Sequence, residues 1–148
     1  MAERFRLATL LKLREQTRDE RRRHLVEAQR AEDMLRQQMA DLDAQLAAVR
    51  AEYGAAAAPG RVLVDRLVDA QRYEIVLHTQ RQERARQEQL LAAEVERRRA
   101  ALLEADREVR VLEKLREKQQ ERQREEDARQ EVKRLDEVAS RRAVWRAT

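Results

Sequence analysis

Both glycines and the only proline of this 148-residue chain fall within one short stretch, Gly54 to Gly60. Glycine costs about 1 kcal/mol and proline about 3 kcal/mol in a helix interior, so a chain that is helical elsewhere confines these residues to its turn. We therefore predict a first helix over about residues 2–53, a turn over 54–60 and a second helix over about 61–142. Such a chain is one coiled-coil hairpin over residues 1–148, and it offers surfaces to partners rather than a pocket.

The composition also indicates a coiled coil. Charged residues make up 42% of the chain and aromatic residues 3%, too few large apolar side chains for a globular core of this length. Disorder is the alternative explanation of such a composition, and the periodic apolar pattern described next argues against it. The chain has no cysteine, no apolar run near the ~20 residues of a membrane span and no signal-peptide-like start, so we predict a soluble cytoplasmic protein.

Each predicted helix carries an apolar stripe with alternating steps of four and three residues, the spacing that keeps one face against a partner helix. In the first helix the stripe comprises Ala28, Glu32, Leu35, Met39, Leu42, Leu46, Val49 and Tyr53. In the second helix it comprises Leu91, Val95, Arg98, Leu102, Ala105, Val109 and Leu112. The two stripes predict that the helices pack along one seam.

The unequal lengths of the two helices predict an overhang. A reversal near position 57 pairs Leu46 with Val68 and Leu35 with Thr79, and the first helix is exhausted when the second reaches about residue 113. The remaining residues form roughly 50 Å of helix at ~1.5 Å per residue. The predicted fold class is therefore all-α, a two-helix antiparallel coiled-coil hairpin with a longer C-terminal helix overhanging. The overhang either frays as a tail or docks onto a partner.

The sequence contains no arrangement of residues typical of an enzyme active site. His24 and His78 lie about 12 residues apart along the predicted hairpin, too far to share a metal. The chain has a single serine, Ser140, and neither a nucleophile triad nor a glycine-rich phosphate loop can be assembled. We expect no catalytic residue, no cofactor and no metal site.

Two arginine triplets, Arg21 to Arg23 and Arg97 to Arg99, are the candidates for a nucleic-acid site. Nucleic-acid binders usually segregate cations onto one patch, whereas acidic and basic residues are interleaved along this chain. Its net charge is only +4. We therefore interpret both triplets as solvated helix face and expect no nucleic-acid partner.

Tyr73, Val76 and Leu77 form a sharper candidate near the predicted turn, because residues at i, i+3 and i+4 share a helix face. If these side chains face outward, an aromatic residue beside an aliphatic one is a plausible anchor for another protein. The alternative is that they pack on the first helix, against Leu35, Met39 and Leu42.

Three segments together resemble the FliJ family of the bacterial flagellar type III export apparatus. The segment from Phe5 to Glu15 is similar to the N-terminal pattern of many members. The segments Val111 to Gln119 and Glu131 to Ala139 are similar to its C-terminal signature. The length and the predicted hairpin agree with the family over the whole chain.

The resemblance implies a cytoplasmic, non-enzymatic stalk, peripheral to the inner membrane at the flagellar base. Its implied partners are the hexameric export ATPase FliI, the export-gate protein FlhA and export chaperones. The implied ATPase-binding candidates are Arg116, Glu117, Lys118, Arg122, Leu135, Asp136 and Glu137, and the implied export-gate candidates are Tyr73, Val76 and Leu77. An injectisome type III secretion stalk and an unrelated coiled-coil scaffold are the alternatives.

Overall fold

The chain folds into two long helices. A computed structural model describes residues 4–57, 59–60 and 63–148, and its elements are α1 (Ala8–Ala56) and α2 (Val64–Ala147). Within these described ranges there is no β-strand. The two helices pack antiparallel, so the predicted fold class is confirmed.

The helix ends differ from the predicted ones by a few residues. Residues 4–7 precede α1 in a turn in which the Ala8 N–H donates to the Phe5 carbonyl over 3.1 Å. At the other end Gly54 is helical, because the alanines that follow it are the best helix formers and extend α1 to Ala56. Positions 2, 3, 58, 61 and 62 of the predicted elements lie outside the described residues.

The connection between the helices depends on Gly60. This residue has a φ of 102°, a left-handed conformation that only glycine adopts readily. Across the turn, the Leu63 N–H donates to the Ala56 carbonyl over 3.3 Å. The reversal therefore takes place after Ala57 and includes Pro59 and Gly60.

Contacts along the helices divide the chain into two units, of which the first in structure contains residues 21–102. Here α1 and α2 enclose two apolar clusters. One consists of Leu42, Leu46, Val49, Ala70 and Leu77. The other consists of Leu25, Ala28 and Val95, with Leu102 packed against it. Most of these residues belong to the predicted heptad stripes, whereas Leu25, Ala70 and Leu77 do not.

The predicted register within this unit is wrong by several residues. Ion pairs join Arg50 to Glu74 (3.6 Å) and Arg36 to Glu88 (3.4 Å), and the midpoint of each pair falls at residue 62 instead of 57. The difference follows from the extra helical residues at the end of α1, which move the point of reversal toward Gly60. Leu46 accordingly belongs to the cluster of Ala70 and Leu77, whereas Val68 is 39% exposed.

The other unit contains residues 1–20 and 103–148. Its buried residues are Leu11, Val109 and Leu112, with Phe5 packed against them. Arg14 forms an ion pair with Glu108 across the two helices at 3.0 Å. Beyond Leu112 no residue of α2 is buried, and from position 124 onward every residue is exposed. This stretch, residues 113–148, is the overhang of the predicted fold class.

No part of either helix, over the residues that are described, is both long and apolar enough to cross a membrane.

Candidate partner-binding surfaces

The seven ATPase-binding candidates all lie on the overhang. We name Arg116, Glu117, Lys118, Arg122, Leu135, Asp136 and Glu137 the overhang surface. All seven are exposed, and Leu135 exposes 56% of its area. The structure therefore brings them onto one unpaired helical segment, where Arg116 also lines a shallow hollow beside Phe5.

The overhang surface carries charged side chains of both signs. Among the described residues, none of its six charged members forms an ion pair within the chain. Nearby, Arg134 pairs with Glu131 at 2.8 Å and the Gln123 amide donates to Asp127 at 3.1 Å. An exposed charge without an intramolecular partner is free to pair with a group on another protein.

The three export-gate candidates are not all on one side of α2. Tyr73 and Val76 expose about half of their area (50% and 49%), whereas Leu77 is 1% exposed. Leu77 belongs to the apolar cluster around Leu46 and Val49, so this part of the proposed anchor packs on α1. The exposed part of this candidate surface therefore consists of Tyr73 and Val76, and Leu77 packs beneath them.

Tyr73 is held in place from α1. Its hydroxyl donates to the Gln45 Oε1 over 3.4 Å, and its ring lines an open hollow near the turn together with Leu63 and Ala70. Three further apolar residues close in sequence are also exposed. The exposed fractions of their area are 60% for Ile75, 39% for Val68 and 64% for Val64. We name Tyr73 and Val76 the tip surface.

Sequence reasoning missed a second apolar patch in the unit formed by residues 21–102. Met34 and Leu90 expose 66% and 72% of their area and line one hollow with the buried Leu35 and half-buried Leu91. Met34 and Leu90 each precede a seam residue by one position. That adjacency to the heptad stripe was the only sequence signal that could have indicated the patch.

The seam itself contains one charged residue that is tied across the helices. Arg98 occupies a heptad core position and donates from Nη1 to the His24 carbonyl over 2.6 Å and from Nε to Glu94 over 3.0 Å. Arg97 and Arg99 pair with Glu94 (2.7 Å) and Glu96 (3.5 Å). Arg97 and Arg99 are therefore exposed and paired within α2, as expected for a solvated helix face. For Arg98 that prediction is wrong, because this residue is half-buried in the seam and bonds to α1.

Two carboxylates have lowered pKa values because arginines hold their charged forms. Arg81 donates two hydrogen bonds to Asp43 from α2 to α1, and this lowers the pKa of Asp43 below its ordinary value of 3.8. Hydrogen bonds from Arg98 and Arg97 lower the pKa of Glu94 in the same way. The Asp43 shift arises from an ion pair between the helices and the Glu94 shift from ion pairs within α2, and neither indicates acid–base chemistry.

A metal site is also not formed by the residues that the structure describes, since they contain no group of three or more His, Cys, Asp or Glu side chains able to hold an ion.

Comparison with known proteins agrees with this architecture. The chain matches the family described as flagellar FliJ protein over residues 3–147. Searches of curated proteins and of solved structures found no match. The family match covers nearly the whole sequence, including α1, α2 and the overhang. This chain therefore belongs to the flagellar FliJ family.

Proposed function

We propose that this chain is a cytoplasmic, non-enzymatic adaptor stalk that binds the hexameric export ATPase FliI through the overhang surface and the export gate FlhA through the tip surface. Membership of the family supports the general role, that of a stalk or chaperone associated with flagellar export. Contact with export chaperones belongs to the same proposal. The observation that carries it is the exposure of α2 on all sides beyond residue 124.

A helix that is exposed all round can be surrounded by the subunits of a ring. The overhang contains about 35 residues, roughly 50 Å of helix at ~1.5 Å per residue, which is long enough to enter a protein ring. The six charged residues of the overhang surface form no ion pair among the described residues, and they can pair with groups on the surrounding subunits. Leu135 supplies an apolar contact between the charges.

The tip surface supports a separate contact with the export gate. An exposed tyrosine whose hydroxyl is already fixed loses little side-chain freedom when a partner covers its ring. Val76 extends the apolar area beside it, and the buried Leu77 packs on α1 below. The binding residues on the gate side are therefore Tyr73 and Val76, with Leu77 acting through packing.

The ATPase contact is tested by adding the purified chain to FliI and measuring ATP hydrolysis. We expect the wild type to raise the rate and Leu135→Glu to abolish the increase, because a charge replaces the apolar contact of the overhang surface. Leu90→Glu is the matched control, since Leu90 is also exposed but lies in the other unit. No increase at stoichiometric excess of wild type would contradict the proposal.

The gate contact is tested by pull-down with the cytoplasmic part of FlhA. Tyr73→Ala should lower retention about tenfold, the loss typical of an interface anchor worth 1–2 kcal/mol. Val111→Ala, at a site 58% exposed in the other unit, should leave it unchanged. Equal retention of wild type and Tyr73→Ala would exclude Tyr73 from this contact.

A further inference from the structure

The overhang carries a heptad stripe of its own. Ala128, Val132, Leu135 and Ala139 follow steps of four, three and four residues, and all four are exposed. Val132 and Leu135 expose 57% and 56% of their area. Spacing of this kind places side chains on one stripe that suits a partner helix.

This stripe lies on the side of α2 opposite the seam that packs on α1. Beyond Leu112 the steps of four and three that define this seam lead through Gln119, Gln123 and Gln130. The stripe is displaced from these positions by two residues, as Val132 is from Gln130. Two residues correspond to about 200° of rotation around a helix. Gln119 and Gln123 are half-buried and line the hollow beside Phe5, so the continued seam faces the N-terminal segment. The stripe is therefore turned away from α1.

The charges that flank the stripe are complementary to themselves when the segment is reversed. An antiparallel pair centred between Lys133 and Arg134 places Ala128 opposite Ala139 and Val132 opposite Leu135 of the second copy. The charged residues that face each other along this stripe have opposite sign: Glu121 lies opposite Arg146, Glu125 lies opposite Arg142, and Arg129 neighbours Asp136, two residues from direct opposition. The first two occupy core positions above and below the apolar layers, and the third flanks them.

We propose that the overhangs of two copies of this chain associate as an antiparallel coiled coil over residues 121–146. The occupant of the stripe is thus a second copy, chosen by its charge complementarity and by the apolar layers at the centre of the pair. Each complementary pair occurs twice because the arrangement is two-fold symmetric.

Other arrangements of the same two segments are unfavourable. A parallel pair places Glu125 beside Glu125 and Arg142 beside Arg142 at core positions. An antiparallel pair shifted by one heptad in one direction puts Glu125 against Leu135. Shifted in the other direction, it puts Arg142 against Val132. Of these four arrangements, the proposed register alone satisfies both the apolar and the charged positions.

Self-association and docking to a ring use some of the same side chains, since Leu135 and Asp136 belong to both. A chain paired with a second copy would therefore be unable to present these residues elsewhere. The pairing itself follows from the self-complementary sequence and does not depend on the proposed ATPase contact.

Sedimentation of the full chain across a micromolar-to-millimolar concentration series tests the proposal by charge exchange. Glu125→Arg and Arg142→Glu should each weaken self-association about tenfold or more, because each places like charges together twice. The double variant, and a mixture of the two single variants, should recover the wild-type association. Trp145, the single tryptophan and 85% exposed, reports pairing of the overhang through its emission.

Matched controls separate this seam from general charge effects. Glu126→Arg and Arg141→Glu make the same changes at neighbouring positions outside the stripe and should leave association unchanged. A wild type that stays monomeric throughout the series would overturn the proposal. So would single variants that associate as the wild type does, which would place self-association elsewhere on the chain.

The antiparallel orientation is tested by crosslinking, since the native chain has no cysteine. Chains with Ala128→Cys and Ala139→Cys should crosslink to each other through a short bismaleimide when mixed. Either variant alone should not crosslink, because its two cysteines lie about 16 Å apart along the pair at ~1.5 Å per residue. Efficient crosslinking within a single variant would indicate a parallel pair and overturn the proposal.

Discussion

Gly54 and Gly60 differ in what their backbones require. Gly54 lies in the last turn of α1, and a Cβ added there meets no other heavy atom within 4 Å. Gly60 also has open space around it, but its φ of 102° is one that side chains with a Cβ rarely adopt. The same substitution should therefore have opposite effects at the two positions.

We expect Gly54→Ala to stabilise the chain by about 0.5–1 kcal/mol, because alanine restricts the unfolded chain and favours the helix. Gly60→Ala should destabilise it by roughly 1 kcal/mol through backbone strain. Urea unfolding followed by circular dichroism measures both. A stabilising Gly60→Ala would show that the turn tolerates a different backbone conformation.

The ion pair between Asp43 and Arg81 makes stability depend on pH in the acid range. Because the folded pKa of Asp43 lies below its ordinary value, the contribution of this pair is present above about pH 5 and is lost as the pH falls through the folded pKa. Asp43→Asn should therefore flatten the decline of the urea midpoint between about pH 5 and pH 3.

Asp41→Asn is the control for that measurement. Asp41 is exposed on the same helix and has no ion pair among the residues that the structure describes. Its variant should retain the wild-type decline. If Asp43→Asn and the control gave the same pH profile, the Arg81 contact would have no thermodynamic role.

At the scale of the helices, stability depends on a few seam residues of α2. Leu77 is 1% exposed and completes the apolar cluster around Leu46, so Leu77→Ala should cost about 2–3 kcal/mol through lost burial and the cavity left behind. Leu90→Ala, at a site 72% exposed, should change the free energy of unfolding by less than about 0.5 kcal/mol. Thermal and urea unfolding compare the two. Similar losses would contradict the placement of Leu77 in the core.

Arg98 contributes specificity to the same seam. A charged residue at a core position selects one register and oligomeric state, often at a cost in stability. We therefore expect Arg98→Leu to unfold at the same or higher urea concentration while higher oligomers appear in sedimentation. A less stable variant with the oligomeric state of the wild type would instead show that the bond to the His24 carbonyl mainly stabilises the packing.

The sequence predicted the seam better than the register. Heptad spacing is a local property, so Leu35, Leu42 and Val95 could be identified as buried without knowing which residues they contact. The register depends on where the chain reverses, and the helical alanines after Gly54 moved that point toward Gly60. Tyr53, predicted in the seam, is 47% exposed as a result.

The candidate surfaces were also predictable to different degrees, because some depend only on local spacing and others on how the two helices are paired. The exposure of the overhang follows from counting residues in two unequal helices, and the structure agrees. Whether Leu77 faces outward or inward depends on the pairing with α1, which periodicity does not determine. The patch formed by Met34 and Leu90 depends on the pairing in the same way, because each residue alone is an ordinary exposed apolar side chain.

At the scale of the whole molecule, removal of the overhang tests whether this segment is needed for the ATPase contact and dispensable for folding. A chain ending at Leu115 retains the clusters around Leu77, Val95 and Leu11, so its thermal midpoint should stay within a few degrees of the wild type. It should no longer raise the ATPase rate of FliI, because the overhang surface from Arg116 onward is absent. Full stimulation by the shortened chain would place the ATPase contact on the remaining residues.

The exposure of the overhang also bears on how long the chain survives. A single helix without packing opens more often than a paired one, and its many lysines and arginines are then accessible to proteases. A bound partner would shield these bonds, so we expect the half-life of the intact protein to rise with partner supply. Excess copies would then be removed by degradation, and their number would be matched to the number of assembly sites.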